Sequence, residues 1–491
     1  MGGLIAFLLV ALTLVGVGVY FLVNFLNKTG PFRVPGVVIY DSSLTAAEVA
    51  EVKEIFGEMV DLDKNVTVSA AEYLTRPELR EGEFLTEIFV PVTDFYSVET
   101  NVSAMEAGEL FSCENCSYKM IPVGELDFKQ KLLRINDKYY LDGFKSGAVF
   151  RVLKFESERY TEEIASLVGD KFTRIFPEDS SVLTLAQTGV TAFSRLMNAK
   201  MNQVGDGTYF AANIGEFLSG FDLTHTSSEA SFVENPSTSG GTGVPICSDY
   251  RFRDTLSAIG LDIVELTGNH NLDCGIQAAN EAIDIYTEMG IKIVGGGRNA
   301  TEAAVPLEID EKKNSVTMLA FNESTGGATL GDYPGANQYY EETARAQIAE
   351  AKARGDLVIV DVQYYECSIY VDEGEDGTCD AADSSAGDQI GMFRSLIDMG
   401  ADVVVGTSAH QPQTFELYGG GVIYYGLGNL FFDQYLWPGT TRSLVLVHHI
   451  YQDKLLQTEI LPTEYDGNFQ TSLMGKDKAR WYLERLAAAR P

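Results

Sequence analysis

Between Ser181 and Asn429 the chain repeats one device six times: a short apolar run stops in a polar or glycine-rich stretch. Residues 182–186 (VLTLA) lead into Gln187-Thr188-Gly189-Val190-Thr191, and 221–223 (FDL) into Thr224-His225-Thr226-Ser227-Ser228-Glu229. Residues 263–266 (IVEL) lead into Thr267-Gly268-Asn269-His270, and 357–362 (LVIVDV) into Gln363-Tyr364-Tyr365-Glu366. Residues 402–405 (DVVV) lead into Gly406-Thr407-Ser408-Ala409-His410, and 421–425 (GVIYY) into Gly426-Leu427-Gly428-Asn429. Short β-branched runs bounded by such stretches read as strands ending in turns. Helical patterns at 249–259, 276–289, 341–353 and 389–399 separate several of them, and 291–294 (IKIV) is a further strand. The order strand, polar turn, helix, strand is that of βαβ units, which requires an α/β sheet system. In such sheets the carboxyl ends of the strands share one rim, where ligands and catalytic groups collect.

The polar stretches supply the candidate site. Three of the five histidines, His225, His270 and His410, fall in them, together with Glu229, Asn269, Asp273 and Glu366. One turn histidine is an ordinary structural residue. Three at strand ends beside carboxylates point to metal binding or acid–base chemistry. His448 and His449 sit in the apolar run 443–451 and read as strand residues.

The chain has 491 residues, enough for two or three domains, and its 45% hydrophobic content is that of a globular protein. Its formal charge of -34 excludes a nucleic-acid-binding role, which needs clustered Lys and Arg, and disfavours adsorption to anionic lipid. Residues 4–26 carry no charged side chain, which suits one membrane-spanning helix. A cleavable signal peptide fits less well: no Lys or Arg precedes the run, it is long for that purpose, and no clear A-x-A site follows. Lys28 and Arg33 lie after the run and by the positive-inside rule place the body in the cytoplasm. The six cysteines (Cys113, Cys116, Cys247, Cys274, Cys367 and Cys379) argue instead for an oxidising, extracytoplasmic compartment. Sequence order suggests the pairs 113–116, 247–274 and 367–379, although six cysteines admit many connectivities.

The expected organisation is a transmembrane anchor at 1–29, an α+β domain at 30–180, the α/β domain at 181–465 and a C-terminal helix at 466–491. The second segment has a strand at 37–40, an amphipathic helix at 44–59 and apolar runs at 84–92 and 148–153, with Phe95 and Tyr96 as a core aromatic pair. In the last, Trp481, Leu483, Leu486 and Ala487 mark a face that packs on the body. The acidic stretch 372–388 reads as a surface loop.

The motifs TGVTAFSR (188–195), HTSSE (225–229), ELTGNHNLDCG (265–275), IKIVGGG (291–297), LIDMGADVVVGTSAHQPQ (396–413) and YYGLGNLFFDQ (424–434) resemble, in order and spacing, the CapA family. These are bacterial capsule-synthesis proteins linked to poly-γ-glutamate and related to the calcineurin-like metallophosphoesterases. The resemblance covers about residues 181–462. It implies a four-layer α/β sandwich of metallophosphoesterase type, an envelope location with a single-pass membrane anchor and an extracytoplasmic body, and capsule synthase or export subunits as partners. It departs from the superfamily pattern in three places. Thr188-Gly189 stands where an Asp is usual, Gln363-Tyr364-Tyr365-Glu366 replaces a His-Trp-Gly turn, and Gly406-Thr407-Ser408-Ala409-His410 lacks one histidine. The remaining set implies one divalent ion (Mn, Zn or Mg) rather than two, on Glu229, Asn269, His270, His410 and His225, or a metal-free site. His270, Asp273 and Glu366 are the expected catalytic groups, with Asp273 orienting His270. Thr188, Thr191, Gln363, Gln413 and Asn429 are the expected substrate contacts. Two functions follow as expectations: a hydrolase or transferase acting on a phosphoester, or on an amide or γ-glutamyl bond of a polyanionic polymer, and a non-catalytic polymer- or partner-binding subunit.

Overall fold

The computed structural model describes residues 38–57, 66–109, 116–157, 181–241, 243–323, 326–364, 388–435 and 438–491. The expected membrane segment, Cys113, Glu366, Cys367, Cys379 and the acidic stretch through residue 387 lie outside them. Among the described residues no helix is long and apolar enough to cross a membrane.

The chain divides into two compact units. The smaller holds the described residues up to Phe89 together with those from Ala148 to 157. Its helix Ala46–Gly57 starts in a capping box: Glu48 N donates to Thr45 Oγ1 and Glu48 Oε2 accepts from Thr45 N at 2.7 Å. Val52, Val66, Val68 and Leu153 form its core, and Arg151 pairs with Glu48 at 2.6 Å. Its sheet is carried by strand Val66–Thr75, by strand Glu83–Asp94 as far as Phe89, and by strand Ser146–Glu156 from Ala148 onward.

The larger unit takes Val90–Gly147 as well as Pro177–Pro491. Leu132 N donates to Gln457 Oε1 at 2.8 Å, and Arg134 pairs with Glu459 at 2.6 Å, which ties residues 90–147 to the second half of the chain.

The larger unit is built on two sheets. In chain order their strands are β1 (Leu183–Thr191), β2 (Leu223–Ser228), β3 (Ile263–Glu265), β4 (Lys292–Val294), β5 (Leu307–Glu311), β6 (Asn314–Asn322) and β7 (Leu357–Gln363). They continue with β8 (Val403–Gly406), β9 (Phe415–Tyr418), β10 (Gly421–Tyr424), β11 (Asn429–Phe431), β12 (Arg442–Tyr451), β13 (Lys454–Tyr465) and β14 (Thr471–Leu473). The first sheet has the order β4-β3-β2-β1-β12-β13-β14, with β11 also on β1; the second has β5-β6-β7-β8-β10-β9. β1 to β4 are mutually parallel, as are β6, β7, β8 and β10, while β12 to β14 and the edge strands β5 and β9 run antiparallel.

Three cores separate four layers. Leu185, Leu223 and Ile263 of the first sheet meet Met318, Ile359, Val403 and Tyr424 of the second. Helices α1 (Arg195–Val204), α2 (Arg253–Ala258) and α3 (Gly275–Glu288) cover the outer face of the first sheet through Met197, Leu256 and Ile283. Helices α4 (Glu341–Arg354) and α5 (Gln389–Asp398) cover that of the second through Ile348 and Phe393. Both sheets are therefore buried on two faces, which is why their strands read as unbroken apolar runs. The C-terminal helix α6 (Lys476–Ala488) packs Tyr482, Leu486 and Ala487 into the inter-sheet core, and Thr414 Oγ1 donates to Leu486 O. Trp481 stays exposed, with Arg442 and Arg485 over its ring.

Candidate functional site

The parallel strands place the ends of β1, β2 and β3 on one rim of the first sheet, and those of β7 and β8 on one rim of the second. Side chains join the two rims. Gln363 at the end of β7 points its Nε2 at Glu229 Oε1 and Asn269 Oδ1, 3.4 Å from each. Deeper in, Asp361 of β7 accepts from Gln187 Nε2 of β1 at 2.5 Å, and its other oxygen lies 3.2 Å from His225 Nε2 of β2. Gln187 Oε1 in turn lies 3.1 Å from His448 Nε2 of β12, whose Nδ1 meets Thr458 Oγ1 at 2.9 Å. Burial, followed by the neighbouring His449 and His225, pushes the His448 imidazole down to about 3, so it is neutral.

Residues expected in turns lie in strands here. Gln187 to Thr191 belong to β1 and His225 to Ser228 to β2, all buried. They are polar because they face polar groups of the opposite sheet or of a neighbouring strand, not because the chain turns. Thr188 Oγ1 donates to His225 O at 2.8 Å, and Thr191 Oγ1 shares a hydrogen bond with Thr226 Oγ1 at 2.7 Å. Both hydroxyls are thus engaged inside the sheet. Gln413 likewise exchanges hydrogen bonds with Gln389 at 3.0 Å and 3.2 Å in a buried position.

Sequence reasoning missed Glu265 and Asp361. Each is a carboxylate inside an apolar strand, and that incongruity was the available signal. Both are fully buried, as is Glu229. Burial first, then the charge of Asp361, pushes the Glu265 carboxyl up to about 8, so it holds its proton at neutral pH. Glu265 Oε1 accepts from Thr267 N at 2.8 Å, which fixes the entry to the following turn. Glu229 Oε2, Glu265 Oε2 and Gln363 Oε1 have no hydrogen-bond partner among the described residues.

The turn after β3 carries the exposed chemistry. Gly268 allows it: a Cβ there would sit 2.7 Å from Glu229 Cγ and 3.0 Å from Ser228 O. His270 Nδ1 lies 3.0 Å from Asp273 Oδ2, with the His270 side chain 34% exposed. The Asp273 hydrogen bond raises the His270 imidazole above its usual range against the effect of burial. Burial would raise Asp273, but hydrogen bonds from His270 and from Ile246 N at 2.9 Å hold it low. A Cys247–Cys274 disulfide, with Cα atoms 6.2 Å apart, ties this turn to the chain 27 residues earlier, as the sequence order suggested.

His410 Nδ1 lies 2.9 Å from Asn429 Oδ1, and Asn429 Nδ2 donates to Thr440 O at 3.0 Å. The imidazole of His410 and the guanidinium of Arg195 both rest on Phe432, with centroid distances of 5.2 Å and 5.0 Å. Arg195, whose charge reaches His270, is clamped by Asp433 and sits at a φ of 44°, an uncommon conformation for a non-glycine residue. Phe432 and Arg195 therefore connect the His410 side of the rim to the His270 side.

Of the expected ligand set, Glu229 and Asn269 share Gln363 as a partner, and the charge of Glu229 reaches His270. His270 rests on Asp273, His410 on Asn429, and His225 lies behind them against Asp361. Among the described residues no three His, Cys, Asp or Glu side chains are arranged to hold a metal ion. The arrangement supports proton transfer at His270.

Comparison with known proteins bears on this region. The chain is 28% identical over 213 residues to the PGA biosynthesis protein CapA of Bacillus subtilis, covering 43% of this chain and 52% of that protein. It is 25% identical over 241 residues to the capsule biosynthesis protein CapA of Bacillus anthracis, covering 47% and 55%. The chain thus spans about half the length of the curated relatives it matches. A likeness to the solved structure of TT1561 of Thermus thermophilus has 9% identity and a TM-score of 0.30, over 55% of this chain and 99% of that one. The profile of the bacterial capsule synthesis protein PGA_cap matches residues 184–434, just over half of the chain and all of the site's strand ends, and the chain belongs to that family.

Proposed function

We propose that this protein acts in the synthesis or export of a poly-γ-glutamate capsule, as a hydrolase or transferase whose site lies at the joined strand ends. The observation that carries this reading is the His270–Asp273 pair: a one-third-exposed imidazole, oriented by a carboxylate, on a turn locked by a disulfide. In the proposed chemistry His270 takes a proton from an attacking water or acceptor and returns it to the leaving group, while Asp273 fixes the ring. Asn269 and Gln363 line the adjoining rim and hydrogen-bond substrate oxygens, and Asn429 positions His410 beside it. The bond cleaved is an amide or γ-glutamyl bond of the polymer, with a phosphoester as the other class, in keeping with a metallophosphoesterase-type sandwich. Glu366 follows directly on this rim in sequence and remains part of the proposal.

The proposed location is the cell membrane, anchored through residues 4–26, with the body outside the cytoplasm. The Cys247–Cys274 disulfide supports an oxidising compartment. Capsule synthase or export subunits are the proposed partners. A second reading, a non-catalytic polymer- or partner-binding subunit, rests on the departures from the superfamily pattern, Thr188-Gly189 in place of an Asp and one histidine missing from 406–410. An assay of the full-length chain on γ-linked polyglutamate and on generic phosphoesters, with and without Mn, Zn or Mg, separates the two. Turnover supports the first reading. Co-purification of synthase or export subunits without any turnover supports the second.

A further inference from the structure

Arg195 follows the end of β1 and opens α1. Its φ of 44° is a backbone that a non-glycine residue keeps only where its surroundings over-determine it, and such positions cluster where ligands are held. The surroundings here are specific. Asp433 accepts from Arg195 Nε at 3.1 Å and from Nη2, and its other oxygen accepts from Leu196 N at 3.0 Å. The Asp433 side chain is 2% exposed, so this carboxylate is a fixed support and not a mobile counter-ion. Phe432 lies under the guanidinium with its ring centroid 5.0 Å away, and the same ring bears on His410 at 5.2 Å. The Nε side of the fork is thus occupied. Nη1 and the second N–H of Nη2 have no partner among the described residues, and the side chain remains 13% exposed. The guanidinium is close enough for its charge to act on both His270 and Asp273. The other charged side chains acting on His270, Glu229 and Asp273, are acidic. An acidic polymer that reaches His270 therefore meets a cation in Arg195, with a donor edge that is held rigid and open.

We propose that Arg195 is the specificity-determining residue of this site and binds, through Nη1 and Nη2, the α-carboxylate next to the γ-amide bond presented to His270. The inference rests on the proposed action on a γ-glutamyl polymer and adds what in that polymer is recognised. In a γ-linked polymer the amide nitrogen and a free carboxylate sit on the same carbon. In an α-linked one that carbon carries the next peptide carbonyl instead, and the free carboxylate stands at the far end of the side chain. A fork fixed beside the imidazole separates the two linkages by position, since both polymers carry the same charge per residue. Guanidinium suits this task because its planar donors take both oxygens of one carboxylate, which a lysine ammonium does not. Asp433 occupies the Nε side and sets the direction of the remaining donors. The Arg195–Asp433 pair is neutral as a whole, so recognition comes from charge-assisted hydrogen bonds of fixed geometry and not from an excess of positive charge.

Binding is measured by isothermal titration calorimetry on the full-length protein carrying His270→Ala, which leaves the ligand uncut. The ligands, at matched ionic strength, are γ-linked oligoglutamate, the same oligomer with its α-carboxyls converted to amides, and α-linked oligoglutamate of equal length. The γ-linked acid is expected to bind about 10- to 100-fold tighter than either comparison ligand. Arg195→Lys keeps a charge opposite Asp433 but loses the fork, and should remove most of that difference while leaving affinity for the α-linked chain unchanged. A purely structural role would weaken all three ligands alike. Equal affinity for the γ- and α-linked chains, the same loss for every ligand in Arg195→Lys, or no binding of the γ-linked chain overturns the proposal. If Arg195→Lys does not fold, the comparison of linkages on the unsubstituted arginine decides: a γ-over-α preference supports the proposal and equal affinity overturns it. Cleavage by the protein with His270 intact is scored separately. Selective binding of the γ-linked chain without cleavage sinks the hydrolase or transferase reading and leaves Arg195 its role, whereas cleavage of both linkages with equal binding does the reverse.

Discussion

His225 Nε2 and Asp361 Oδ2 lie 3.2 Å apart with both side chains fully buried, and this contact joins β2 of one sheet to β7 of the other. Asp361 also accepts from Gln187, so its carboxylate is the common partner of two strands of the first sheet. Asp361→Ala leaves two buried polar groups unpaired and is expected to destabilise the protein by about 3–5 kcal/mol. Asp361→Asn keeps the shape and should cost less. Denaturant midpoints of both variants check the order, and equal costs would count against a charge-specific link.

Gly268 tests the close approach between the ends of β2 and β3. In Gly268→Ala the added methyl meets Glu229 Cγ and Ser228 O. Displacing backbone as well as a buried side chain is expected to cost about 1–3 kcal/mol. It should also lower activity more than Gly475→Ala, where nothing lies within reach of the new methyl. Thermal unfolding and turnover measured side by side give the comparison.

Glu459 sets an acid limb of stability. Burial alone would raise its carboxyl, but hydrogen bonds from His449 and Arg134 hold it down at about 2, against an ordinary 4.5. A depressed acid contributes stability above the unfolded value and loses it as pH falls through the folded one. The loss should therefore fall between about pH 4.5 and about 2. Glu459→Gln should be less stable near neutrality and flatter across that window, which a pH series of unfolding midpoints reads directly.

The Cys247–Cys274 bridge closes a loop of 27 residues. Replacing both cysteines by serine is expected to cost about 2–5 kcal/mol. Because Cys274 directly follows Asp273, hydrogen exchange should rise first at residues 268–275. A uniform rise over the whole domain would argue against a specific role in holding this turn.

The frame of the fold was legible because its strands are buried on both faces. Residues 357–362 and 402–405 read as apolar runs and became β7 and β8. Helix α4 was readable to within a residue, since Gly355 caps it in the left-handed region. The polar halves of β1 and β2 were not legible as strand. Local chemistry makes Gln187-Thr188-Gly189 or His225-Thr226-Ser227 look like turns, and only the facing Asp361 explains their burial. The His270–Asp273 pair was visible at three-residue spacing, whereas the partner of His225 lies far along the chain and no spacing rule reaches it. The attachment of residues 90–147 to β13 depends on single contacts such as Arg134–Glu459, which composition does not mark.

The central claim is that the strand-end rim works through His270. The most direct measurement is single-turnover cleavage of γ-linked polyglutamate, and of a phosphoester, by the full-length chain and by His270→Ala. The account predicts measurable turnover on one class, reduced about 10²- to 10⁴-fold in His270→Ala, with folding unchanged. Equal rates in the two proteins, or no turnover of either class under any ion condition, would contradict it.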